Sequence, residues 1–380
     1  MHRGFGRNEL AIESRGTIFS TVRDKRMDAQ YESAETRPQA VSRLGLYLPV
    51  GLLLVAAILW SGFWWIGSRT ANGAIDGWLA SEASAGRHWS CPNRTMGGFP
   101  FRLELRCGNA SLRADVEGKP VALTLGGLTI VAQVYNPKLV LADLDGPLTI
   151  DDGTTPSAIT WKALRLSLRL ATNRLERLSL VVAQPSSNYR ADDGRDVSIG
   201  AKALELHLRS DGERPAADNA IDVALLVTAA ELPQLDGLTG TPDKTDLVLQ
   251  GAITRAADLH CGSWRRSLEN WRSQGGRIDL QTGKIIKGPM RIETTGALDL
   301  DDEHRVQGQL SASADGAGPL LAKLGVSSGG ALKGVLGGLM GKRADAFIGA
   351  ATSLQWPVRL QDGRIFVGPI KTPVQLRPLY

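Results

Sequence analysis

From Phe101 onward, apolar and polar residues exchange places at every second position, and this alternation constrains the chain more than any other feature. Phe101, Leu103, Leu105 and Cys107 alternate with Arg102, Glu104 and Arg106. Side chains on a strand point to opposite faces in turn, so the pattern predicts a strand with one apolar and one polar face. It recurs at Leu112/Ala114/Val116, Val121/Leu123/Leu125 and Leu128/Ile130/Ala132/Val134. Further segments follow at 138–143, 147–150, 164–170, 178–182, 204–208 and 221–227. Short Gly- and Pro-rich connections separate them, which predicts an antiparallel sheet with one face wet.

Glu231–Lys244 (ELPQLDGLTGTPDK) is the candidate boundary between a first β-rich half, 91–235, and a second, 245–380. In the second half, strands are expected at 247–253, 276–281, 290–300, 304–312, 355–360 and 364–370. Ala257, Cys261, Trp264, Leu268 and Trp271 fall at helical spacing, and Pro319–Ile348 reads as a glycine-rich helix. The fold class expected is α+β with β dominant: a single N-terminal transmembrane helix, then an extended, curved antiparallel sheet with a few helices.

That helix is expected at 44–67, after an N-terminal tail, 1–43. Leu44–Gly67 holds no Asp, Glu, Lys, Arg or His. At about 1.5 Å per residue it reaches roughly 36 Å, enough for a hydrocarbon core of about 30 Å. Trp60, Trp64 and Trp65 crowd its far end like an interfacial belt. A cleaved signal peptide has a shorter apolar region and a small-residue cleavage site, so an uncleaved anchor is favoured. Arg23, Lys25, Arg26, Arg37 and Arg43 precede the span, which puts the N-terminus in the cytoplasm. Translation from Met1 or from Met27 leaves the same helix. Residues 68–90 are expected to form a short amphipathic linker helix.

The net charge is +5, from 44 Lys and Arg against 39 Asp and Glu. No Lys/Arg run with interleaved aromatics appears, so no nucleic-acid partner is expected. The three cysteines offer one pairing: Cys91 with Cys107 forms a disulfide in an oxidising compartment, with two packed thiols as the alternative. Cys261 lies on an apolar stripe and reads as a core thiol. Neither metal, cofactor nor catalytic residues are expected. Gly325–Gly329 matches the G-x-S-x-G pattern but follows a helical segment, with no later His to complete a triad. Gly341-Lys342 lacks the glycine and Ser/Thr of a phosphate loop. Glycines at 330, 334 and 338 permit either an interfacial helix or a connector. Asp299, Asp301, Asp302 and Glu303 suit either a charged hairpin tip or paired acid and base groups.

The Cys91…GGFPFR…Cys107 segment resembles the signature of a bacterial family, domain of unknown function 2125. Trp271 with Gly275-Gly276, the run Gly296–Asp301 and the terminal DGRIFVGPI are similar to it as well. The resemblance implies a protein anchored in the bacterial inner membrane with its bulk in the periplasm, and no established activity. The glycine-punctuated strands are also similar to those of AsmA-type envelope proteins, which are implicated in lipid handling. The expected function is therefore non-enzymatic binding of lipid or an envelope component on the apolar face. A structural or assembly role toward envelope proteins is the alternative.

Overall fold

A computed structural model of the chain describes residues 44–116, 118–153, 157–171, 174–190, 194–210, 219–259, 264–323 and 355–380. The N-terminal tail, Cys261 and the glycine-rich stretch from 324 to 354, with its G-x-S-x-G and Gly-Lys matches, lie outside them. The chain divides into two compact units, Met1–Leu54 and Val55–Tyr380.

Helix α1 runs unbroken over Leu44–Ser84, and its Tyr47–Ser84 portion is long and apolar enough to cross a membrane. The separate linker helix expected at 68–90 is instead the continuation of α1, followed by a short strand β1 (Arg87–Ser90). The polar residues after Gly67 leave the helical hydrogen-bond ladder intact, since Ser, Thr and Asn there return their side chains to earlier carbonyls. Ser68 Oγ donates to the Trp65 carbonyl at 2.9 Å and Asn72 Nδ2 to that of Ser68 at 3.0 Å.

The rest is dominated by one antiparallel sheet of nineteen strands among the described residues. After β2 (Thr95–Gly97) come three long strands, β3 (Arg102–Val116), β4 (Lys119–Gln133) and β5 (Asn136–Asp151). Then follow β6 (Ser157–Thr160), β7 (Ala163–Ala171), β8 (Arg174–Ala183), β9 (Ser186–Arg190), β10 (Asp196–Gly200), β11 (Ala203–Ser210) and β12 (Ile221–Ala230). Helix α2 (Pro233–Thr239) occupies the stretch expected to be a boundary, and hydrogen bonding crosses it: β12 pairs with β13 (Thr245–Ile253). A 3₁₀ turn at Ala256–Asp258 and helix α3 (Trp264–Ser273) stand where one longer helix was expected. The sheet resumes with β14 (Ile278–Lys287), β15 (Met290–Leu300) and β16 (Val306–Asp315). After helix α4 (Gly318–Lys323) it ends with β17 (Trp356–Gln361), β18 (Arg364–Val367) and β19 (Ile370–Gln375).

Each of β3, β4 and β5 was expected as two strands, and each is one. The reason lies at Asn109, Gly126-Gly127 and Gly146-Pro147, where the apolar phase shifts or breaks. Asn109 has φ 52°, and the β4–β5 register slips between Leu125 and Gly127. A bulge of this kind inserts a residue without ending the strand and re-aims the side chains beyond it. Gly126 is required here, because a Cβ would stand 2.5 Å from the Gly146 carbonyl oxygen. Beyond this line β5 changes partner. Leu139–Leu144 pairs with β7, whereas Leu148–Ile150 pairs with β6, which continues to β9 and β10.

Helices cap strand ends of the second half. At one end the Trp271 indole of α3 donates to the Thr254 carbonyl at 2.7 Å, and its ring fills the space above Gly276. At the other, Lys287 of β14 is fully buried and its ammonium binds Asp236 of α2 at 2.6 Å.

Candidate functional site

Residues directly opposite in an antiparallel pair place their side chains on the same face. Following the register from strand to strand therefore traces what that face presents. Leu105 of β3 pairs with Ile130, Ile130 with Ala142, Ala142 with Leu166 and Leu166 with Leu180. Leu180 pairs with Leu206, Leu206 with Leu225 and Leu225 with Leu249. Eight strands in succession contribute an apolar side chain to one row.

The rows on either side repeat this. One runs Cys107, Leu128, Leu144, Leu164, Val182, Leu204, Val227, Leu247. The other runs Leu103, Ala132, Val140, Leu168, Leu178, Leu208, Val223 and then Gly251. With strands about 4.8 Å apart and same-face neighbours about 6.6 Å apart, the apolar field extends roughly 33 Å by 13 Å. That is on the order of 400 Å², the size of patch that marks an interaction surface.

A sealed core would bury such leucines almost completely. Here Cys107, Ala142 and Val182 are buried, while Leu105, Leu166, Leu180, Leu206, Leu225 and Leu249 are only half-buried. The face is thus apolar and accessible along its length.

The opposite face is mixed. Arg165, Val181, Glu205 and Leu226 share one of its rows, and Ser167, Ser179, His207 and Ala224 the next. A depression of about 680 Å³ lies on it, lined by Arg177, Ser179, His207, Arg209, Asp222 and Gln250 among others. Two contacts engage its polar groups: Arg209 binds Asp222 at 2.8 Å, and His207 Nε2 lies 3.3 Å from Glu205. This places His207 on the polar face, as the alternation predicts.

Of the acidic group of the sequence, Asp301, Asp302 and Glu303 form a hairpin tip whose carboxylates are engaged, while Asp299 lies within β15 with a buried Oδ1 that has no hydrogen-bond partner among the described residues. Asp301 accepts from the backbone of Glu303 and Arg305 and from the Arg305 guanidinium, at 3.0, 2.8 and 2.8 Å. Asp302 binds Arg272 at 2.7 Å, and Glu303 binds Arg305 at 2.7 Å. Beside the tip, Glu269 accepts from Arg272 at 2.8 Å and from the Tyr380 hydroxyl at 2.9 Å. The Arg272 guanidinium, with the tyrosine hydroxyl, holds the Glu269 carboxyl down at about 2, and burial, with the bond to Glu269, pushes the Tyr380 phenol up to about 12. His304 stacks on Tyr380 with ring centres 4.3 Å apart, so the cluster fastens the end of the chain to α3. Among the described residues no three His, Cys, Asp or Glu side chains gather as metal ligands.

Cys91 and Cys107 are joined by a disulfide, with S–S 2.05 Å and Cα–Cα 5.5 Å. It ties the segment before β2 to the apolar row of β3. Sequence reasoning placed Glu104 on a wet face, but it is buried between two guanidiniums, Arg102 at 2.9 Å and Arg106. It also missed the docking of α1 on the turn between β2 and β3. There Trp60 Nε1 donates to the Pro100 carbonyl and Trp64 Nε1 to that of Arg102, both at 2.8 Å. The tryptophan spacing and the GGFPF run were visible, but nothing in the sequence joined them.

Residues 64–375 match the family described as "Uncharacterized protein conserved in bacteria (DUF2125)". The chain belongs to this family. No curated protein and no solved structure matches it. The family's match begins within α1 and takes in the whole sheet, so the apolar rows, the disulfide and the GGFPF turn all fall inside it.

Proposed function

We propose that this DUF2125 protein is anchored in the bacterial inner membrane by α1, with its N-terminus cytoplasmic and its sheet in the periplasm, and that it binds the acyl chains of lipid along the apolar rows. It acts by holding a ligand rather than by catalysis. The observation that carries the reading is the unbroken row from Leu105 to Leu249, apolar on eight strands and, except at Ala142, only partly buried. Water is a poor neighbour for such a surface, and an acyl chain removes it from water at about 25 cal/mol per Å². The Cys91–Cys107 disulfide supports an oxidising compartment, and the basic residues before α1 support the orientation.

Site-specific photo-crosslinking in living cells tests it. A benzophenone amino acid at Leu206 is expected to capture lipid, giving adducts of lipid mass on the purified chain. The same probe at Val181, on the opposite face, is expected to capture none. Lipid adducts at neither position, or a single stoichiometric protein adduct at Leu206, would show that the face serves another occupant.

A further inference from the structure

We propose that the Phe99-Pro100-Phe101 turn between β2 and β3 is itself a membrane-inserted element, submerged in the acyl layer beside the periplasmic end of α1. The inference rests on the reading that α1 spans a bilayer.

Depth comes from the helix. The first charge after the apolar stretch is Arg69. Trp60 precedes it by nine positions and Trp64 by five, roughly 13 and 8 Å along the helix axis. Both indoles grip the turn. In addition to the hydrogen bonds to Pro100 and Arg102, Trp60 lies 6.3 Å from the Phe101 ring, and Trp64 meets Phe99 edge-on at 5.6 Å. A turn held at the level of Trp60 and Trp64 lies below the charged end of the span.

Its surface suits that depth. No charge occurs from Thr95 to Phe101, and Phe99 and Phe101 are 56% and 63% exposed, so the tryptophans cover each only in part. Its backbone suits it as well. Within a bilayer every carbonyl needs an internal donor. Four of the five carbonyls from Gly98 to Arg102 have one, Phe99 being the exception: those of Pro100 and Arg102 receive the two indole N–H groups, that of Gly98 the Arg102 N–H at 3.1 Å, and that of Phe101 the Val134 N–H at 3.1 Å. Pro100 has no N–H to satisfy.

Arg102 and Arg106 follow directly, their side chains 57% and 67% exposed while both reach Glu104. Two cations on one carboxylate leave a surplus positive charge, and the long Arg side chains can reach from the level of Trp64 up to anionic headgroups. Phe101 stands two residues before Leu103, the start of one apolar row of the sheet. Insertion of the turn therefore brings that row to the membrane surface.

The test uses the full-length chain, with Cys261→Ser to leave no free thiol, reconstituted in phosphatidylethanolamine–phosphatidylglycerol vesicles. Nitroxide labels are placed singly through Phe99→Cys, Phe101→Cys, Ala57→Cys and Val181→Cys. Collision with dissolved oxygen, which favours lipid, is compared with collision with a water-soluble nickel chelate. Labels at 99 and 101 are expected to favour oxygen as the label at 57 does, with the ratio reversed at 181. If 57 favours oxygen while 99 and 101 side with 181, the turn is not inserted and the anchor stands. If 57 also favours nickel, the anchor itself fails and the proposal falls with it.

Discussion

Replacing Leu206 by serine separates an open apolar face from a sealed core. Leu206 lies in the middle of the central row, between Leu180 and Leu225, and is half-buried. Full burial of a leucine is worth about 1.5–3 kcal/mol, so a mostly covered one contributes about 1–2 kcal/mol to folding. A leucine inside a closed core costs about 2–5 kcal/mol when truncated, because a cavity is left behind. Leu206→Ser is therefore expected to lower the urea midpoint by an amount equivalent to about 1–2 kcal/mol, with an unchanged slope. Its effect on lipid should be larger in proportion. Loss of contact with about two methylenes, at about 0.8 kcal/mol each, weakens acyl-chain binding by roughly tenfold. Parallel titrations of wild type and variant with a fluorescent acyl lipid, alongside the urea series, give both numbers. A stability loss of about 4 kcal/mol, or lipid affinity equal to wild type, would refute the open face.

Three further expectations test what holds the sheet in shape. Lys287→Met leaves Asp236 without its cation, and because the Asp236 side chain is 32% exposed the loss should fall just below the range of about 3–5 kcal/mol for fully buried broken pairs, at about 2–3 kcal/mol. Adding Asp236→Leu should recover part of it in a double-mutant cycle. Gly296→Val is expected to prevent folding or shift the β15–β16 register, since its φ is 144° and a Cβ would stand 2.2 Å from the Gln309 carbonyl oxygen; proteolysis of the variant checks this. The Glu269 carboxyl, lowered from 4.5 to about 2, contributes stability present above pH 4.5 and lost as pH falls toward 2. The Tyr380 phenol, raised from 10.0 to about 12, contributes stability present below pH 10 and lost as pH rises through 12. Tyr380→Phe should flatten both limbs of a pH–stability profile.

The alternation carried the architecture. Period-two patterning at Leu164–Leu170 or Leu204–Leu208 gives both the strand and its apolar side, because a strand has only two faces. It failed where backbone geometry overrode it. Gly126-Gly127 reads as a turn, yet the strand passes straight through, since a bulge and a turn use the same residues. The row from Leu105 to Leu249 was only half legible. Each strand's contribution was plain, but the register that aligns eight of them is set by pairing between distant segments. Glu104 reads as a wet polar position, yet Arg102 and Arg106, two residues to either side on the same strand, close over it. The burial of Lys287 depends on Asp236, fifty-one positions away. The contact of Trp60 with Pro100 joins residues forty positions apart and left no mark in either segment alone.

Methyl NMR of the complete chain in lipid nanodiscs, doped with a lipid carrying a nitroxide on its acyl chain, addresses the lipid-binding reading at its centre. An acyl chain lying along the sheet predicts strong broadening of the Leu166, Leu180, Leu206 and Leu225 methyls, with Leu141 and Val181 on the other face left sharp. Broadening confined to the methyls of α1, with the row from Leu105 to Leu249 untouched, would contradict it.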